Sequence, residues 1–352
     1  MPTLPARRDL LLVCLAAVCA SCSSDDTLVS VSGETMGTTY NVSIVDPPKN
    51  LSLSEIESAI TRELSTANAI FSNWDTESEV SRFNRSAART PVRLSDAFSQ
   101  LLDIADFVHV ASEGRFDLTA APLIELWGFG ESGPAARVPT DAQILSTLAS
   151  VGQQRVINRA SGGMALFMRE EGASLNVAAI AKGAGIDAVS DRLQTMGLEN
   201  VLVEIGGDLR ARGAGPHGSG WRIGVEKPGF PPGAVQEVVV LQGAGMATSG
   251  DYRNYFEEDG VRYPHIIDPT TGRPVTHATT SVTVIADSAT LADAWATALL
   301  VLGRERGAEI AEKNGIAALF LERTDEAAEF QRYASATFKA YARQDTRDPV
   351  TK

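Results

Sequence analysis

Asp293 and Thr297 are the sole polar side chains in the run Leu291 to Leu302, which opens after Ser288 and closes at Gly303. Four residues apart, they share one face of a helix. The other sides are Leu, Trp, Val and Ala, and a helix apolar all round is buried. A carboxylate removed from water needs a cation or hydrogen bonds to meet it. Carboxylate plus hydroxyl at this spacing suits a hard cation such as Mg²⁺, which takes oxygen ligands and completes its shell with substrate phosphate. The same residues would also serve as a satisfied core Asp and a Thr bonding back to its own helix.

Other stretches carry compatible chemistry. In Ser174 to Asp187, small residues lead into a helical pattern that sets free backbone N–H groups and Lys182 where a phosphate could approach. An Ala/Gly-rich helix start serves tight helix packing equally well. His265 stands before the turn Asp268-Pro269-Thr270-Thr271-Gly272, as a candidate general base or as a plain turn residue. Thr248 to Arg253 crowds hydroxyl, carboxylate, phenol and guanidinium together, fit for a polar ligand or an Asx-turn, and Gly206-Gly207-Asp208 is a sharp turn after a strand, with close backbone approach as its functional variant. Neither Gly-x-Ser-x-Gly nor His-Glu-x-x-His occurs. Together the signals describe a Mg²⁺-dependent enzyme acting on a phosphorylated small molecule.

The elements that must position these groups are legible in outline. Ser52-Leu53-Ser54-Glu55 is a capping box opening an amphipathic helix with Ile56, Ile60, Leu64 and Ala67 on one face, and Thr140 to Gln143 opens a shorter one. Phe98, Leu101, Leu102, Ala105 and Val108 mark a helix between them. Strands are expected at 201–205, 221–225, 238–241 and 281–285, the last alternating cleanly. Helices come early and strands late, so the expected class is α+β, with mixed or mostly antiparallel sheets flanked by helices.

Composition bounds the partners. The 352 residues carry a net charge of −13, which disfavours nucleic acid and anionic lipid in the absence of a basic patch. Apolar residues at 44% and charged residues at 21% describe a globular chain. Cys14, Cys19 and Cys22 all lie at the start, so the body has no disulfide, thiolate metal site or cysteine nucleophile. Arg7 and Arg8 precede an apolar run from Leu10 to Ala20, too short to span a bilayer and suited to a signal peptide. Residues 1–21 are therefore expected to be removed. Cys22 after Ala20 and Ser21 is similar to a lipobox, with 22–30 as a polar tether, 31–340 as the folded domain and 341–352 as a polar tail.

The motifs form a series. Met36 to Tyr40, Phe71 to Trp74, Ser78 to Asn84, Gly114 to Thr119, Leu126 to Gly130, Ile180 to Gly183, Gly206 to Asp208, Thr248 to Tyr252, His265 to Pro269 and Ala292 to Thr297 together resemble the ApbE family, the FAD:protein FMN transferases. The resemblance implies a periplasmic, lipid-anchored enzyme that uses Mg²⁺, splits FAD, releases AMP and attaches FMN to a Thr or Ser of an acceptor. That acceptor is typically a subunit of an Nqr- or Rnf-like redox complex. It implies metal ligation by Asp293, Thr297 and the carbonyls of Ala179 and Ala296. FAD contacts are implied for Met36, Trp74, Arg115, Phe116, Asp117, Asn176, Lys182 and Ile267, with His265 as base. Asn176 stands where members often have Asp, and Trp74 where some have Tyr. With water in place of the acceptor hydroxyl, the same site would be an FAD pyrophosphatase. A protein that binds FAD without chemistry is the alternative from another class.

Overall fold

The computed structural model describes residues 27–130, 137–159, 166–216, 218–229, 234–252, 254–324 and 329–344. The expected signal peptide and Cys22 lie outside the described residues. Eight strands form the central sheet, in the order Leu28–Thr35, Thr38–Val45, Val201–Ile205, Asp208–Arg212, Gly245–Gly250, Thr279–Ala286, Ala317–Arg323 and Phe330–Ala334. Every neighbouring pair is antiparallel. The α+β expectation holds, with one adjustment: the sheet opens at the very start of the described chain. Its first hairpin turns on Met36 and Gly37, both at positive φ (49° and 72°), so Gly supplies one of the two left-handed positions the tight turn needs. Strand Leu28–Thr35 begins inside the segment expected as a tether. Helix Ala336–Gln344 likewise runs into the expected tail, where Tyr341 packs on the core.

Helices Leu53–Phe71, Asp96–Ala111, Ala178–Thr195 and Ala289–Lys313 lie on one side of this sheet. Hairpin Trp221–Glu226/Val235–Leu241 and helix Ala336–Gln344 cover the other side. The capping boxes form as the sequence dictates: Ser52 Oγ accepts from Glu55 N, and the Glu55 carboxylate accepts from Ser52 N at 2.8 Å. Strand Thr279–Ala286 departs from the alternation expected of it, since seven of its eight residues are buried. Val282 and Val284 pack toward the helices while Ile285 packs toward the hairpin layer. Its buried hydroxyls are tolerated in part through pairing, as in Thr283 Oγ1 to Thr248 Oγ1 at 2.8 Å.

Ser288 caps the long apolar helix as expected, its Oγ accepting from Leu291 N at 3.1 Å. Gly303, expected to end it, breaks it instead: the residue adopts φ 69°, ψ 173°, and helical structure resumes to Lys313. A β-carbon there would also meet the His277 ring at 2.7 Å. Helix Ala178–Thr195 crosses the long helix closely at Gly183, where a β-carbon would lie 2.4 Å from the Ala289 carbonyl oxygen. Backbone on the far side leaves no flexible group to yield. Gly183→Ala is therefore expected to destabilise the fold by about 1–3 kcal/mol, read as a lower urea midpoint. An unchanged midpoint would contradict the close crossing.

Candidate active site

One cavity of about 820 Å³ opens where the two crossing helices meet the ends of the central strands. Its size lies toward the top of the roughly 300–1,000 Å³ typical of ligand pockets, enough for a dinucleotide. Its floor is ionic. Lys182 Nζ lies 2.7 Å from Asp208 Oδ2 and 3.5 Å from Asp293 Oδ1, and Asp293 Oδ2 accepts from Gly183 N at 3.2 Å. Asp208 Oδ1 accepts from Thr248 N at 3.0 Å.

Asp293 and Asp208 are 3% and 2% exposed, so these charges are held out of water. Burial pushes the Asp293 carboxyl up to about 6, with Lys182 opposing that rise and Asp208 adding to it. Burial also works against charge on Lys182, but Asp293 and Asp208 outweigh it and raise its pKa, so the ammonium persists. In the Ser174–Asp187 stretch, Gly183 serves the helix packing expected of small residues, while Ala178, Ala179 and Lys182 line the cavity from the first turns of the helix.

Beside this floor, Thr297 Oγ1 and Ser249 Oγ are 3.1 Å apart, and both residues line the cavity. The carboxylate and the two hydroxyls make an oxygen-only donor set, which fits a hard cation whose shell a ligand would complete. No cluster of three His, Cys, Asp or Glu that could hold a metal occurs among the described residues. Asp293 would thus be the principal anionic ligand.

The opposite wall carries His265. Its Nδ1 and the Asn254 carbonyl oxygen are 2.9 Å apart, and the same oxygen accepts from His265 N at 3.1 Å. With Nδ1–H donating to a carbonyl, Nε2 is left as the acceptor. Burial lowers the His265 pKa, so the neutral ring prevails at pH 7. An aromatic block holds the hairpin that carries it: Phe256 stacks on Tyr263 at 5.1 Å, Trp127 lies 5.7 Å from Tyr263, and Phe129 meets His265 edge-on at 6.3 Å. Trp127 Nε1 donates to Gly272 O at 2.8 Å, tying this block to the turn beyond Ile267.

Among the remaining candidates, Trp74, Arg115, Phe116, Asp117, Asn176 and Ile267 all line the cavity. Trp74 is 75% exposed, an aromatic face free to stack on a planar ring. Arg115 Nε lies 3.4 Å from Asp268 Oδ2. The Asp117 carboxylate is engaged internally, accepting from Thr119 N at 2.7 Å and from Gln153 N at 2.9 Å. Met36 and Ala296 fall outside the cavity lining. Met36 packs toward Gly185, and Ala296 is fully buried on the long helix.

Two positioning residues, Asn73 and Asn84, carry no chemistry that their own spacing makes legible. Asn73 donates to Leu175 O at 2.8 Å and accepts from Val177 N at 3.0 Å, while Asn84 makes a reciprocal pair with Leu175 at 2.9 and 2.8 Å. These amides fix the loop that presents Asn176 and the helix start. Asp208, which the sequence places in a sharp turn, is the second carboxylate on Lys182. Asn73 and Asn84 stand inside stretches of the motif series, which was the one available signal.

Known proteins resemble this chain over most of its length. The ApbE family model matches residues 36–320. A protein of Vibrio cholerae serotype O1 named FAD:protein FMN transferase is 40% identical over 332 residues, covering 94% of this chain and 98% of its own. The solved structure of the flavin transferase ApbE from Vibrio cholerae has a TM-score of 0.81 at 39% identity, covering 90% of this chain and 99% of its own. The apo flavinyl transferase ApbE of Pseudomonas stutzeri gives 0.81 at 38% identity, over 90% of this chain and 97% of its own. With the family model matched over residues 36–320 and a relative 40% identical over 94% of the chain, the chain belongs to the ApbE family.

Proposed function

We propose that this protein transfers FMN from FAD to a Ser or Thr hydroxyl of an acceptor protein, releasing AMP, in a Mg²⁺-dependent reaction. The observation that carries the reading is one cavity holding a buried carboxylate with a paired ammonium on its floor and a neutral imidazole on its wall. The names of the relatives, FAD:protein FMN transferase, support it.

Asp293 and Thr297, with the main-chain carbonyl of Ala179, would hold Mg²⁺; when bound, it would neutralise charge on the pyrophosphate and polarise the phosphorus. Lys182 remains cationic beside the phosphates, at the cavity wall lined by Ala178 and Ala179 at the start of helix Ala178–Thr195. Trp74 and Ile267 offer apolar surface to the ring system. His265 Nε2 accepts the proton of the acceptor hydroxyl as its oxygen attacks the phosphorus of the FMN half. The P–O bond to the AMP phosphate breaks, and the bridging oxygen leaves with AMP. Exclusion of water decides between transfer and FAD hydrolysis.

The lipobox-like Cys22 supports a lipid-anchored enzyme in the periplasm, facing acceptor subunits of membrane redox complexes of the Nqr or Rnf kind. No helix among the described residues is long and apolar enough to cross a membrane. Incubating the purified chain with FAD, Mg²⁺ and such a subunit is expected to add the mass of FMN less water to one hydroxyl, with AMP formed in equal amount. Free FMN and AMP with an unmodified acceptor would reassign the site to hydrolysis. Bound FAD left intact would overturn both activities.

A further inference from the structure

The hairpin that carries His265 is held by an ionic cluster gathered on the buried carboxylate of Asp251, separate from the Lys182 floor. Asp251 is 3% exposed and directly follows strand Gly245–Gly250. Its Oδ2 accepts from Arg262 Nη1 at 3.1 Å and from Arg323 Nη2, and its main-chain carbonyl accepts from Arg262 Nη2 at 2.7 Å. Arg262 thus forks across the side chain and main chain of one residue, a geometry an ammonium does not reproduce.

The cluster joins two bodies. Arg323 ends the central strand Ala317–Arg323, and its N–H donates to Ala278 O at 3.0 Å. Asp251 N donates to Thr280 O at 3.0 Å on the neighbouring central strand. Arg262 belongs to the small hairpin Tyr255–Glu258/Val261–Pro264 and lies over the Tyr255 ring at 4.2 Å. Between Asp251 and Arg262 the chain passes through Asn254, whose carbonyl receives both His265 N–H groups. His265 itself stands three residues beyond Arg262.

An ion cluster of one buried carboxylate and two partly exposed guanidinium groups adds little net stability, since desolvation of the carboxylate offsets the attraction and solvent screens the cations. Here Oδ1 of Asp251 is also buried without a hydrogen-bond partner among the described residues, a further cost. What the cluster supplies is therefore geometry. The geometry points to Asp251 as the positioning residue for His265: by bridging Arg323 of the sheet to Arg262 of the hairpin, it fixes the Asn254 carbonyl and so the Nδ1–H tautomer that leaves Nε2 as acceptor. This inference rests on the reading of His265 as the proton acceptor. The charged groups acting on the ring are Asp251 and Arg262 themselves.

The full chain has four histidines, so long-range ¹⁵N–¹H spectra resolve each ring, with His265→Gln supplying the assignment. The wild type is expected to show His265 as one neutral Nδ1–H tautomer. In Asp251→Asn and in Arg262→Lys, that signal becomes a tautomer mixture. In both variants kcat for FMN transfer falls on the order of 10–100-fold, while KM for FAD moves less than about three-fold, because the phosphate floor is untouched. If Asp251→Asn fails to fold, Arg262→Lys carries the test, since it retains the charge and loses the fork. A folded variant with the tautomer unchanged overturns the proposal. A tautomer mixture with kcat unchanged supports the clamp and overturns the role of His265 as base.

Discussion

Asp293→Asn is expected to lower FMN transfer by at least about 10²–10³-fold while leaving the fold intact. The amide keeps the shape and an oxygen for the Gly183 N–H, but it removes the anion proposed to hold the cation. Lys182 keeps its 2.7 Å contact with Asp208, so the floor retains a charge partner. Stability moves the other way. Burial first, offset by Lys182, pushes the Asp293 carboxyl up to about 6 from the ordinary 3.8. Between those values the folded chain keeps a proton that the unfolded chain has released. Without a bound cation, folding stability therefore falls as pH rises through that window. In chelator at neutral pH the variant is expected to melt no lower than the parent. Added Mg²⁺ should raise the parent melting temperature and leave that of Asp293→Asn unmoved. An equal Mg²⁺ shift in both proteins would remove Asp293 from the metal site.

His265→Gln is expected to reduce kcat by about 10²–10⁴-fold with FAD affinity held within a few-fold. Glutamine can still donate to the Asn254 carbonyl, but it has no basic nitrogen to receive the acceptor proton. The parent pH profile should carry the signature of the lost group. Burial lowers the His265 pKa below its ordinary 6.5, so the neutral, active ring is already dominant at pH 7. Activity should be flat above neutrality and fall only as pH drops through the depressed value. The same depression ties stability to pH: it is present above 6.5 and is lost as pH falls toward the folded pKa. Loss of the acidic limb in His265→Gln, with residual activity independent of pH, is the expected outcome. A variant that keeps the parent profile would assign that limb to another group.

These predictions draw unequally on sequence and fold. The periodicity of Leu291 to Leu302 already required a buried helix with Asp293 and Thr297 on one face, because an all-apolar helix has nowhere to lie but the core. The capping boxes at Ser52 and Thr140 fixed two helix starts by local hydrogen bonding alone. Gly303 was harder to read, since a left-handed residue ends a helix or kinks it according to what packs beyond, and here helical structure resumes to Lys313. The alternation of residues 281–285 suggested a half-exposed strand. Only the hairpin layer on its second face, formed by residues 221–226 and 235–241, makes both faces core.

For the site, the sequence by itself determined residue chemistry and short-range placement: which helix bears the carboxylate, which turn bears the imidazole, and that the body offers no thiol. The motif order carried the family. Tertiary structure alone decided which charges meet. Lys182, Asp208 and Asp293 are separated by 26 and 85 residues, yet they form one ionic floor. Asn73 reaches Leu175 across 102 positions, and Asp251 receives guanidinium groups from 11 and 72 residues away. Helical and strand periods constrain side chains only within an element, whereas contacts between elements depend on sheet order and helix crossing, which neighbouring residues do not encode. The burial that raises Asp293 and lowers His265 arises in that same step, so the sequence named these groups and the fold set their protonation.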